Sequence, residues 1–186
     1  MSKVYVFLAD GFEEVEGLTS VDLLRRAGAD LQTVSIMGRK EIHGAHGINL
    51  EADLVLEDGL EAADLMILPG GMPGTNNLKD HEGLADILKD QYKAGRMVAA
   101  ICAAPLVLGG LGLLRGHRAT CYPGFEQTLL GAEYTAELFT IDGNITTGEG
   151  PAAALPYAYS LLEQLVDSET SHAVAEGMRF LHLMGK

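Results

Sequence analysis

The stretch Met97–Leu108, MVAAICAAPLVL, decides the fold, because it reads as a strand passing through one cysteine into a helix. Met97–Ile101 is a short apolar run of strand length, and Pro105 suits the first turn of a helix. The same grammar repeats outward. VYVFL (Val4–Leu8) is rich in β-formers and ends at the turn signal Asp10-Gly11. Glu13–Ala27 follows with Val15, Leu18, Val21, Leu24 and Arg25 at helical spacing, closed by Gly28 as a C-terminal cap. LQTVSIM is a second strand, and LMILPGG (Leu65–Gly71) is a buried strand running into a Pro/Gly loop. Lys40–Leu56 alternates weakly and holds HGAHG, the pattern of a hairpin or an irregular excursion.

Helices are expected at Asp80–Ala94 and Ala104–Leu114. Shorter strands are expected at Ala119–Tyr122, Leu138–Ile141 and Asn144–Thr147, and closing helices at Ala152–Leu165 and Glu169–Met184. Strands alternating with helices require crossover connections, hence a mostly parallel sheet covered on both faces. With no linker, repeat or low-complexity segment, the 186 residues are expected to form one doubly wound α/β domain. Ligands bind beyond the carboxyl ends of such strands. Asp10–Glu16, Pro69–Thr75 and Cys102–Pro105 all fall there.

Composition excludes several classes. Hydrophobic residues are 47% and charged residues 21%, which is ordinary for a folded domain. A net charge of −13 opposes binding to nucleic acid or an anionic membrane, since both need a basic face. The N-terminal apolar run is shorter than the ~7–15 residues of a signal-peptide core, and no stretch reaches the ~18 of a membrane span. Cytoplasmic residence with Cys102 and Cys121 reduced is the expectation. The six histidines (His43, His46, His81, His117, His172 and His182) lack metal-site spacing, so no metal is expected.

A cysteine in an apolar run is often an inert packing residue. Cys102, however, stands in a strand-to-helix turn, the place of the nucleophile in an elbow. Free amides and the helix dipole there would lower its pKa. Cys121 lacks this context and reads as packing. Glu13, Glu14 and Glu16 could simply stabilise a helix start by about 0.3–1 kcal/mol each. They also share the edge with Cys102. Glu16 falls beside the apolar stripe, where partial burial would raise its pKa and suit it to proton transfer. The loop LPGGMPGTNN matches neither dinucleotide nor P-loop spacing. Instead, Gly70 and Gly71 can bring backbone amides close to the thiol, and Gly71 with Ala103 would make an oxyanion hole.

LADGFEEVE, LPGGMPGTNNL, AAICAAPLVL and TGEGPAAA, in this order, resemble the ThiJ/PfpI superfamily. The nearest branch is that of the parkinsonism-associated protein deglycase and YajL-type proteins, and the similarity runs from Lys3 to about Leu165. The resemblance implies a flavodoxin-like three-layer sandwich, related to class I glutamine amidotransferase domains, over residues 1–186. It implies a homodimer, Cys102 as nucleophile, Glu16 bonded to it, and Gly71 and Ala103 as oxyanion donors. Gly70, Tyr122, Gly150 and Pro151 would line the pocket. Ala103 replaces the histidine of peptidase-like members, which argues against a peptidase. Tyr122 stands where human-type members carry histidine, as in the YajL-type Cys-Tyr-Pro. GPAA (Gly150–Ala153) replaces the family's Gly-Pro-Gly-Thr, and His46 aligns near the family's dimer interface.

The implied activity is cofactor-independent glyoxalase or deglycase chemistry on a small α-oxoaldehyde such as methylglyoxal or glyoxal. The rival is a redox-sensing or holdase chaperone with an oxidisable Cys102. A flavin- or nucleotide-binding module ranks last. Arg25 and Arg26 have two readings, an interface or favourable charge at a helix C-terminus.

Overall fold

The computed structural model describes residues 1–183 and 185. Its centre is a seven-stranded sheet. In chain order the main elements are β1 (Lys3–Leu8), α1 (Glu14–Arg26), β2 (Asp30–Ser35), β3 (Glu41–His43), β4 (Asn49–Glu51) and β5 (Leu54–Val55). β6 (Leu65–Leu68), α2 (Gly74–Asp80), α3 (Glu82–Lys93), β7 (Met97–Ile101) and α4 (Pro105–Gly110) follow. β8 (Arg118–Ala119), β9 (Glu133–Tyr134), β10 (Phe139–Asp142), β11 (Ile145–Gly148), α5 (Ala154–Leu165), α6 (Ser168–Gly177) and α7 (Phe180–Leu183) complete it.

The sheet order is β10-β11-β7-β6-β1-β2-β5, with β10 antiparallel to β11 and every other pairing parallel. Because strand side chains alternate, each central strand feeds two cores. Val4, Val6 and Leu8 of β1 join Leu65, Ile67, Ala99 and Ile101 on one face, under α1 and α5. Tyr5 and Phe7 join Met66, Leu68, Val98 and Ala100 on the other, where Leu84 and Leu88 of α3 and Val107 of α4 pack. This is the flavodoxin-like three-layer arrangement. The chain runs outward from β1 through β2 to β5, then returns to the other side of β1 at β6. The switch point therefore lies between the ends of β1 and β6.

Several expected elements differ. On α1 the buried residues are Glu14, Glu16, Gly17, Ser20, Val21, Leu23 and Leu24, whereas Val15 is 52% exposed and Leu18 38%. The apolar spacing through Val15 and Leu18 thus marks the outer face, and Glu16 lies within the buried one. Gly17 is what seats that face, since a methyl there would stand 3.0 Å from the Phe12 ring. The helix expected at Asp80–Ala94 is preceded by an extra one, α2, and His81 breaks the two apart. The His81 ring accepts the Leu84 amide at 3.1 Å and caps α3.

α4 stops at Gly110 instead of Leu114, where glycines at 109, 110 and 112 weaken the helix. Of the strand expected at Ala119–Tyr122 only Ala119 is extended, in β8 with Arg118, paired with β9 outside the main sheet. The closing helix expected at Glu169–Met184 divides into α6 and α7 where Arg179 takes φ 62°. Met184 itself lies outside the described residues. Arg25 pairs with Asp53 at 2.6 Å and Arg26 with Asp22 at 2.8 Å, so both are engaged within the chain.

Candidate active site

Cys102 sits at the end of β7 with φ 63°, a left-handed conformation that costs a non-glycine residue about 1–3 kcal/mol. The turn is held from both sides. The Cys102 amide donates to the Gly148 carbonyl at 2.9 Å, and its carbonyl accepts the Tyr122 amide at 2.8 Å. The side chain is thereby lifted off the strand and left 9% exposed.

Three neighbours converge on it. A methyl on Gly70 would lie 2.7 Å from Cys102 Cβ, 2.8 Å from Glu16 Oε2 and 2.9 Å from the Ile101 carbonyl. Gly70 is therefore the wedge between the cysteine and the glutamate, and no larger residue fits. Its amide donates to Glu16 Oε2 at 2.8 Å. Gly71 takes φ 89°, and a methyl there would stand 2.3 Å from the Glu13 amide. The amides of Gly71 and Ala103 both reach the Cys102 sulfur, and among the described residues neither donates to a backbone carbonyl.

Glu16 is fully buried. Burial pushes its carboxyl up to about 7, the Cys102 thiol and the Gly70 amide draw it down, and the charge of Glu13 raises it. Its Oε1 has no nitrogen or oxygen partner among the described residues. Burial, followed by the Glu16 charge and hydrogen bond, pushes the Cys102 thiol up to about 12, against the amides of Ala103 and Gly71. This corrects the expected lowered thiol. α4 is only six residues long, and the amides at its head do not offset desolvation beside a carboxyl. The proton exchanged near neutrality belongs to the pair, held chiefly on Glu16.

Tyr122 is half-exposed at the rim, and its ring lies against Gly150, where a methyl would be 3.1 Å from Cδ2. Pro151 opens the single 3₁₀ turn that follows. All eight residues singled out in the sequence thus gather at one sheet edge. Cys121 is fully buried in the opposite core, and burial pushes its thiol up to about 12. A cavity of about 720 Å³ is an open groove between Arg26 and α6, lined by none of these residues.

Two further features of this region were not legible in the sequence. His46 Nδ1 lies 2.9 Å from Glu14 Oε2 and 3.6 Å from Glu13 Oε2, and the His46 amide donates to Glu14 Oε1 at 2.7 Å. Burial pushes Glu14 up, but the His46 ring and the His46 and Ile48 amides hold it below the ordinary carboxyl range. The hydrogen bond to Glu14, then the charge of Glu13, raises His46. These three side chains are of metal-ligating type and lie within 4.8 Å of one another. With the Glu14 oxygens already held by amides and imidazole, they act as a clasp between the β3–β4 hairpin and α1. The other is Tyr157, a fully buried tyrosine whose hydroxyl has no partner among the described residues.

Comparison with known proteins gives the family and the fold. The model of the DJ-1/PfpI family matches residues 2–164. Protein DJ-1 homolog B of Arabidopsis thaliana is 39% identical over 176 residues, 93% of this chain and 40% of that protein. The chain spans less than half the length of either Arabidopsis relative, 40% and 45%. A protein of Pyrococcus abyssi named a deglycase is 31% identical over 152 residues, 80% of this chain and 90% of that one. The solved structure of oxidized Toxoplasma gondii DJ-1 superposes with a TM-score of 0.92 at 32% identity, covering 96% of this chain and 98% of that one.

Proposed function

We propose, because the chain belongs to the DJ-1/PfpI family, that it is a cysteine-dependent enzyme of glyoxalase or deglycase type, needing no cofactor. Its substrates are small α-oxoaldehydes, methylglyoxal or glyoxal, and secondarily their adducts with proteins. The observation that carries this reading is a buried carboxyl at Glu16, ionising near neutrality, held by Gly70 against a cysteine in a strained elbow.

The chemistry follows from the two ionisations. Above the Glu16 pKa the pair is a carboxylate beside a thiol. As Cys102 Sγ adds to the aldehyde carbon, Glu16 takes the S–H proton as general base. The amides of Gly71 and Ala103 hold the oxyanion of the resulting hemithioacetal. Glu16 passes the thiol's proton to that oxygen and is a carboxylate again. It then moves the proton from the former aldehyde carbon to the ketone oxygen, giving an enediol, and the first hydroxyl's proton to the neighbouring carbon, leaving an acyl thioester on Cys102. Water hydrolyses this thioester, releasing the 2-hydroxy acid and restoring the thiol. Gly70, Tyr122, Gly150 and Pro151 border the opening, which suits a substrate of a few heavy atoms. Ala103 supplies no imidazole to a leaving amine, so peptide hydrolysis is not proposed.

A homodimer fits the exposed face of α1. Ile48 is 53% exposed and its amide is bonded to Glu14, beside Val15, with Leu18 one turn on. These three apolar side chains would be covered by a second copy. Among the described residues no helix is long and apolar enough to cross a membrane. We place the protein in the cytoplasm, where a reducing environment preserves the Cys102 thiol.

The test is conversion of methylglyoxal to lactate by the wild type, Cys102→Ser and Glu16→Gln. Loss of at least about 100-fold in both variants is expected. Undiminished turnover in both would refute the proposal. A second reading, a redox sensor or chaperone acting through oxidation of Cys102, draws on the partial exposure of the thiol and on the oxidized form known for the Toxoplasma relative. It predicts no turnover, with peroxide-dependent formation of a Cys102 sulfinic acid.

A further inference from the structure

Tyr157 lies on α5, the helix that packs along α1 over the same face of the sheet. Its ring covers Gly148, where a methyl would stand 2.8 Å from Tyr157 Cδ2 and 2.9 Å from Ile101 Cγ1. Gly148 is the residue whose carbonyl anchors the Cys102 amide. The phenol thus stands directly behind the elbow. Two orphaned atoms share this interior: the Tyr157 hydroxyl and Glu16 Oε1, both inaccessible to solvent. One is a donor and the other an acceptor. Leaving either unmatched in a dry core is costly, so native proteins pair such groups directly or through a trapped water.

We infer that Tyr157 is a positioning residue for Glu16, its hydroxyl linked to the free carboxylate oxygen through one buried water. The inference rests on the reading of Glu16 as the base of the reaction. The titratable groups facing Glu16 are Glu13 at the head of its own helix, Cys102 beyond β7, and Tyr157 on α5, with the Gly70 amide from the loop after β6 as fixed donor. The Glu16 charge is felt at Tyr157, where, after burial, it raises the phenol further. Of these groups only Tyr157 is a neutral side-chain donor not consumed by the reaction. Its effect has a definite sign: a donated O–H stabilises the carboxylate, so it holds the Glu16 pKa below the level that burial alone would set.

The experiment is an infrared titration of the protonated-carboxyl band of Glu16, identified as the band lost in Glu16→Gln, in the wild type and Tyr157→Phe. Steady-state kinetics with methylglyoxal and thermal unfolding accompany it. The expected result is an upward shift of the midpoint by about 1 pH unit in Tyr157→Phe. kcat at neutral pH should fall several-fold with KM unchanged, because the change is in the base and not in the rim of the pocket. The variant should also unfold at a lower temperature. A hydroxyl with no partner behaves in the opposite way, since its removal is neutral or stabilising. An unmoved midpoint with unchanged or raised stability would overturn the role of Tyr157 while leaving Glu16 as base. If no Glu16-dependent band titrates above the ordinary carboxyl range, both the base and its positioning residue fall together. Should Tyr157→Phe fail to accumulate, an isotope-labelled tyrosine in the wild type gives the same answer. Its C–O stretch must shift as Glu16 ionises, and an invariant stretch refutes the link.

Discussion

Glu16 has opposite consequences for stability and for chemistry. Its folded-state pKa of about 7 lies above the ordinary 4.5, so between those values the folded protein binds more protons than the unfolded chain. Stability therefore falls as pH rises from 4.5 to about 7, by about 3 kcal/mol for this group alone. Glu16→Gln removes that cost, and its melting temperature should exceed that of the wild type by several degrees at pH 8 but not at pH 4, by calorimetry across pH. Equal melting temperatures at pH 8 would show that the carboxyl is not strained by burial. At this scale the sequence was informative about identity and misleading about environment. Cys102 and Glu16 were legible from the elbow and the EEVE cluster. The raised thiol was not, because desolvation depends on what packs over the turn. Tyr157 and the His46–Glu14 contact were invisible for the same reason: a tyrosine in an apolar helix looks like core, and a contact across 32 positions leaves no local trace.

The loop after β6 and the elbow after β7 work as one element through Gly70. With Cys102 Cβ, Glu16 Oε2 and a carbonyl all within 2.9 Å of where a methyl would be, Gly70→Ala must push the elbow and α1 apart. A loss of about 1–3 kcal/mol in stability is expected, with turnover reduced far more than that change would explain. Chemical denaturation paired with kinetics checks both, and a variant of normal activity would remove Gly70 from its role as wedge. The PGG signature announced a tight approach of backbone, although not what it approached. Element boundaries were less legible. α2 escaped notice because Pro73-Gly74 reads as loop, and α4 was overextended because apolar Leu111, Leu113 and Leu114 continue a helical stripe that glycines interrupt. In α1 the stripe was drawn through Val15 and Leu18, which face outward, while its Val21 and Leu24 are buried, since Val15 and Leu18 outweigh Glu16 on any hydropathy count.

At the scale of the molecule, that misassigned stripe becomes informative. The helix buries Glu16 and exposes Val15 and Leu18, and it is on that outer face that the proposed homodimer rests. Leu18→Glu should convert the protein to a monomer at micromolar concentration, by sedimentation equilibrium, because two like charges would meet across a symmetric interface. A dimer that survives this change would place the interface elsewhere. The parallel sheet order was legible in outline, since alternating strands and helices permit few topologies, and three segments at strand ends pointed to the candidate edge. The account as a whole depends on Cys102 and Glu16 behaving as one unit. The direct test is the rate of Cys102 alkylation by iodoacetamide as a function of pH, read by peptide mass mapping, in the wild type and in Glu16→Gln. The account predicts a rate that rises through the Glu16 titration, centred near pH 7, and loses that step and at least about tenfold in neutral-pH rate when Glu16 is replaced. Superimposable profiles for the two proteins would contradict it.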